Sequence, residues 1–222
     1  MITTRAWRRA AAAVLGLAAV MAPPVAAPAI SAPSTASHRV PPEPPAADAV
    51  RTELDGLKVE APHSMSGYSR AKFPHWIKQY GECDTREVVL SRDGSGVTQD
   101  SMCRAVAGSW YSAYDDKTLD SASKVDIDHM VPLANAWRSG ADTWTTDKRK
   151  AFANDLGNSQ LYAVSASSNR SKGDQSPDQW VPPNQDFWCT YGRAWGHVKS
   201  LYGLSVTQPE KDKLIGMLDT CD

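Results

Sequence analysis

The sequence has no Cys-x-x-Cys pair among its four cysteines, Cys83, Cys103, Cys189 and Cys221. That argues against zinc ribbons and thioredoxin-type redox motifs, which need two thiols close together in the chain. The longest apolar run, Ala10 to Met21, falls short of the ~20 residues a spanning helix needs. There is no internal repeat, which argues against solenoids and propellers. Nor is there an excess of basic charge. The formal net charge is −1, whereas a nucleic-acid binder is often basic overall; charge arranged locally around a site matters more than the sum.

What is present is ordinary globular composition, with 41% hydrophobic and 22% charged residues in 222, enough for one good core. Arg5, Arg8 and Arg9 precede the alanine-rich run, and Pro23, Pro24 and small residues (Ala26, Ala27, Ala29) follow it. This is the pattern of a secretory signal peptide, expected over 1–31, and it implies a secreted, extracellular protein. Residues 32–48, rich in Pro and Ala, read as a flexible leader. Residues 49–222 are then the folded domain; removal of 1–31 deletes three arginines and no acid, which takes the formal charge from −1 to −4. In an oxidising compartment an even cysteine count reads as two disulfides. Three connectivities are possible. The sequential one, Cys83–Cys103 and Cys189–Cys221, closes two local loops and is the expected pairing.

Along the domain, 49–59 carries apolar residues at helical spacing. Phe73-Pro74-His75-Trp76-Ile77 is an aromatic packing segment. Glu87–Leu90 is β-prone, and Arg92-Asp93-Gly94-Ser95-Gly96 reads as a turn. Strands are expected over Ser109–Tyr114, Val125–His129 and Gln160–Ser165. Helices are expected over Leu133–Arg138, over Thr146–Leu156 with Thr145 or Thr146 as N-cap, and over Phe187–Tyr202, with a turn or helix over Ser167–Lys172. The last helix opens with the capping box Thr207-Gln208-Pro209-Glu210.

The chemistry concentrates in Asp126-Ile127-Asp128-His129-Met130-Val131-Pro132, with Asn158 and Asn169 downstream. In-line attack of water on a phosphodiester needs a base and a stabiliser of charge. Neutral imidazole is a suitable base near pH 7. A hard cation suits the charge and prefers oxygen ligands, which Asp128 and Asn169 offer. Adjacent strand residues point to opposite faces, so Asp128 and His129 need a bent or terminating strand to serve one site.

The order Asp128-His129-x-x-Pro132, then Leu156-Gly157-Asn158-x-x-Leu161, then Asn169-x-x-Lys172 resembles the HNH, or ββα-metal, endonucleases, and within them the DUF1524 branch with its small secreted actinobacterial nucleases. The core motif covers 126–172. A wider likeness runs from Phe73 to Cys221, through Cys83-Asp84-Thr85-Arg86 and Asn135-Ala136-Trp137-Arg138. The resemblance implies an α+β fold: a ββα-metal core embedded in a mainly helical single domain with two disulfides. It implies Asp128 and Asn169 as metal ligands and His129 as general base. It implies Asn158 as the residue that holds the loop between the strands and helps orient the histidine. Many relatives carry His where Asn169 stands. Asn makes an oxygen-only site that favours Mg²⁺, with Mn²⁺ or another divalent metal as a substitute.

Arg170, Lys172 and Arg86 are the candidate phosphate contacts, each against the plainer reading of a solvated face or surface salt bridge. Asp126 is a candidate for the shell behind the ligands. The tryptophans read as core, Lys148-Arg149-Lys150 as a solvated helix face, and His75 and His197 as structural. The implied activity is a secreted, metal-dependent endonuclease on DNA, with RNA left open. It would have little sequence specificity and leave 5′-phosphate ends. The expected partner is nucleic acid and no membrane, and the expected state a monomer. The alternative is a non-catalytic extracellular binding or cell-wall-associated module.

Overall fold

The computed structural model describes residues 1–2 and 41–221. The chain divides into two units, 1–36 and 37–222. Of the first only Met1 and Ile2, both exposed, are described. The expected signal peptide, beyond those two, and the leader up to residue 40 lie outside the described residues. In chain order the elements are α1 (Ala47–Asp55), β1 (Lys78–Tyr80), β2 (Cys83–Asp84), α2 (Thr85–Asp93), β3 (Gly94–Gln99), β4 (Ala105–Ser112), β5 (Lys117–Leu119), β6 (Val125–His129), α3 (Leu133–Arg138), α4 (Thr146–Ala153), β7 (Leu161–Ser165), α5 (Ala166–Lys172), α6 (Trp188–Tyr202) and α7 (Gln208–Leu218). The result is a mixed α and β fold with three small antiparallel sheets, β1–β2, β3–β4–β5 and β6–β7. Among the described residues no helix is long and apolar enough to cross a membrane.

The β6–β7 ribbon separates two cores. Residues directly opposite in an antiparallel pair share a face. Ile127 faces Ala163 and His129 faces Leu161, whereas Asp126 faces Val164 and Asp128 faces Tyr162. The first face packs with Val89, Leu90 and Trp110 under α2 and β4. The second meets the larger helical core, which includes Phe73, Tyr114, Phe152, Tyr191 and Trp195. In that core α1 lies close on α6 because Gly196 has no side chain: a Cβ there would sit 2.7 Å from Val50 Cγ1.

Two expectations are overturned. Glu87–Leu90 is helix, within α2, and the segment 92–96 is the end of that helix running into β3 rather than a turn. The Asp84 side chain caps α2 by accepting from the Glu87 amide at 2.9 Å, and Val89 and Leu90 fall on its buried side. Packing thus overrides the β-preference of Val88-Val89. The leader is also shorter than expected. Residues 41–46 are not free: Arg193 donates to the Pro45 carbonyl at 2.7 Å and to that of Pro44 at 2.5 Å, Ser159 donates to that of Pro42 at 2.6 Å, and α1 begins at Ala47. Both disulfides form in the sequential pairing. One ties the start of α2 to the β3–β4 turn; the other ties the start of α6 to the end of α7.

Candidate active site

Strand β6 ends at His129; α5, which follows after α3, α4 and β7, packs against it. On the helical-core face Asp128 is 4% exposed. Its Oδ2 accepts from Lys172 Nζ at 2.6 Å and from the Tyr114 hydroxyl at 2.5 Å. Lys172 Nζ also donates to the carbonyls of His129 and Met130, at 2.8 and 3.0 Å. Burial pushes the Asp128 carboxyl up and the Lys172 amine down, and their mutual attraction pulls each back. Tyr114 is held well above its usual range by burial and by the Asp128 charge, so it remains a donor. Asp128 Oδ1 has no hydrogen-bond partner among the described residues.

His129 occupies the other face, 4% exposed. Its ring stacks on Trp76 with centroids 5.4 Å apart. Its Nε2 lies 2.9 Å from the Ala153 carbonyl. A carbonyl only accepts, so Nε2 carries the proton and Nδ1 is the free basic nitrogen. Burial lowers the imidazole to about 3, which keeps it neutral at pH 7.

Asn154 supports this arrangement. Its Nδ2 donates to the Pro74 carbonyl at 2.7 Å and its Oδ1 accepts from the Ile77 amide at 3.2 Å. It therefore brackets Trp76, whose φ of 56° is left-handed, a conformation that persists only where the surroundings fix it. The same residue follows Ala153, so one amide anchors both the stacking ring and the carbonyl that orients His129.

Asn169, on α5, donates from Nδ2 to Asp126 Oδ2 at 3.1 Å, which leaves its carbonyl oxygen unengaged. Arg170 Nε stands 3.7 Å from the same carboxylate and is well exposed. Asp128, His129, Asn169 and Arg170 line one cleft of about 280 Å³, together with Tyr68 and Arg70. Among the described residues no group of three or more His, Cys, Asp or Glu is gathered to hold a metal. The cleft offers two hard oxygens, Asp128 Oδ1 and the Asn169 carbonyl. That set fits a cation such as Mg²⁺, which keeps several waters and needs only one or two protein oxygens besides a phosphate.

The remaining expected residues lie elsewhere. Lys172 is 0% exposed, enclosed by its three acceptors and turned away from any phosphate. Arg86 binds Glu87 at 2.7 Å and the carbonyls of Ala122 and Val125, outside the cleft. Asn158 donates to Asp155 Oδ2 at 2.9 Å and so braces the loop before β7, without touching His129. Tyr114, Trp76, Asn154 and Arg70 are not singled out by the sequence. Tyr114 and Asn154 stand far from their partners in the chain, and Arg70 carries no motif; the aromatic segment around Trp76 was the one available signal.

The chain is 51% identical over 209 residues to an uncharacterized secreted protein of Arthroderma benhamiae, covering 94% of this chain and 97% of that one. No solved structure matches it. The family model for the C-terminal domain of GmrSD restriction endonucleases matches residues 87–217, from α2 through α7. The match takes in β6, β7 and α5 and suggests a nuclease-type function, and by it the chain belongs to the GmrSD restriction endonuclease C-terminal domain family.

Proposed function

We propose that the protein is a secreted, metal-dependent endonuclease of the HNH type, with β6, β7 and α5 as its ββα-metal core. The observation that carries this reading is the single cleft in which a neutral imidazole, two hard oxygens and two arginines converge. The disulfides and the secreted relative support an extracellular setting.

In this mechanism the phosphodiester enters against Arg70 and Arg170. His129 Nδ1 accepts the proton of the attacking water, and Ala153 holds the ring so that only this nitrogen is basic. Lowered to about 3 by burial, the imidazole is by itself a weak base; the negative charge of a bound phosphate raises it toward the working range. Asp128 and Asn169 are the residues that would hold Mg²⁺, which when bound supplies charge stabilisation at the phosphate and at the leaving 3′ oxygen. Asp126 fixes the Asn169 amide, and Lys172 and Tyr114 fix the Asp128 carboxylate. Lys172 and Arg86 are therefore reassigned from phosphate contact to scaffold.

Arginine contacts to phosphate carry no sequence information, so cleavage is nearly sequence-blind and salt-sensitive. The test is degradation of plasmid, single-stranded DNA and RNA with Mg²⁺, Mn²⁺ or EDTA, by the native protein and by His129→Ala. Loss of a general base costs about 10²–10⁴-fold. His129→Ala also removes a buried ring, so its activity is to be read on folded protein. Cleavage in EDTA, or a folded His129→Ala within a few-fold of native, refutes the assignment. No cleavage under any condition favours a binding module.

A further inference from the structure

A second cavity, of about 460 Å³, lies beside the cleft and shares Asp174 with it. Helix α3 forms the partition. Pro132, Leu133 and Ala134 line the cleft, while Asn135, Arg138 and Ser139 line the second cavity. Six helical residues span about 9 Å, a few nucleotide steps at about 3.4 Å per stacked base. Arg138 closes the wall by donating to Asp174 Oδ2 at 2.6 Å.

We propose that this cavity is a subsite for one unstacked nucleobase carrying an exocyclic amino group, drawn from single-stranded nucleic acid next to the scissile phosphate. The inference rests on the nuclease reading above. Its volume falls in the range of small-molecule sites. Three of its carboxylates are already paired, Glu60 with Lys58, Asp174 with Arg138 and Glu210 with Lys199; Asp178 accepts only from Ser176 and is the one left to accept from a base amino group, as carboxylates do from cytosine N4. Arg138 in this cavity is held by Asp174, whereas Arg70 and Arg170 stand at the cleft, so a strand lying across α3 would place phosphate and base on opposite sides of the partition. The independent sign of a ligand is Asn135. It is 2% exposed and lines the cavity. Its Oδ1 accepts from Ser139 at 3.3 Å, while its amide nitrogen has no partner among the described residues. A donor left open at the cavity wall in this way fits a base acceptor beside an amino group, the pattern that Asn reads on adenine. A base inside a cavity has left its stack, so the substrate at this position is single-stranded.

Two measurements test this. The first is kcat/KM on oligo-dC and oligo-dT of equal length. A hydrogen bond contributes about 1 kcal/mol, or roughly fivefold, so oligo-dC is expected to be cut about fivefold more efficiently. Asp178→Asn and Asn135→Ala should bring that ratio toward one. Asp178 is exposed and accepts only from Ser176, so its variant keeps the test usable if Asn135→Ala does not fold. The second is metal-free titration with cytidine or thymidine in EDTA, followed by thermal shift. Cytidine should stabilise the native protein more than thymidine, and Asp178→Asn should reduce that difference. Equal oligonucleotide efficiencies, a ratio unmoved by Asp178→Asn, or no cytidine-specific shift overturns the subsite. If the native protein cuts nothing, the nuclease reading fails instead, and the metal-free titration still decides whether the cavity binds a base.

Discussion

Replacing Lys172 by Met should unfold the site from within. The ammonium is fully buried and its three acceptors are the Asp128 carboxylate and the carbonyls of His129 and Met130. Met fills a similar volume but donates nothing. Asp128 is then left in the core with the Tyr114 hydroxyl alone. Breaking one side of a buried ion pair typically costs about 3–5 kcal/mol, because the surviving charge stays uncompensated. For a domain of this size each kcal/mol lowers Tm by about 2–4 °C, so the expected drop is about 6–20 °C. The double variant Asp128→Asn/Lys172→Met removes both charges and should be destabilised by less than the sum of the singles, with a coupling of about 2–3 kcal/mol. Urea unfolding of the native protein, the singles and the double measures all four corners. A Lys172→Met loss below about 1 kcal/mol, or additive singles, would show that the lysine is not holding the aspartate. A stable variant that loses only affinity for nucleic acid would return it to the phosphate-binding role.

The disulfides close loops of 20 and 32 residues, for which loop entropy gives about 3.3 and 3.7 kcal/mol; Cys→Ser pairs should show losses of that order in urea, and unchanged midpoints would refute the estimate. Arg193→Ala releases Pro44 and Pro45 from α6 and should cost about 1–3 kcal/mol for the charge-assisted bonds, with proteolysis gained before α1; resistance equal to the native protein would show that the strap is held otherwise. His63 is raised above its ordinary 6.5, chiefly by its hydrogen bond with Asp142. The stabilisation from a raised folded value is fully present below pH 6.5 and is lost as pH climbs through the folded value above it, so the urea midpoint should fall from pH 6 toward 8 relative to Asp142→Asn, and parallel profiles would exclude the pair.

Much of the scaffold was legible because local chemistry and packing agree. Thr145 caps α4 by accepting from Lys148, and Thr207 with Glu210 forms the full capping box of α7. β6 occupies the expected five residues, Val125–His129. Where the two levels conflict, the sequence misled. Val88-Val89-Leu90 looks like strand, yet an N-cap at Asp84 and the Trp110 indole bonded to the Leu90 carbonyl hold it as helix. Asp128, His129 and Asn169, which line one cleft, stand out in the sequence because their chemistry is unusual in combination. Tyr114, Asn154 and Arg70 do not, since each acts only through a partner that folding brings near.

Lys172 shows what could have been seen. On a strand, residues two apart share a face and are separated by about 6.7 Å. On a helix, residues three apart lie on one side, about 4.5 Å along the axis. An Asp-x-Asp strand against an Asn-x-x-Lys helix therefore has two matching pairs, and the structure makes both: Asp126 with Asn169 at 3.1 Å and Asp128 with Lys172 at 2.6 Å. The outer pair is partly exposed and neutral on one side, so it can release an oxygen toward the cleft. The inner pair is buried and ionic, so it fixes the carboxylate. A lysine three residues after Asn169 looks solvated in a linear sequence; once the strand and helix are laid together, its ammonium meets the buried carboxylate of Asp128.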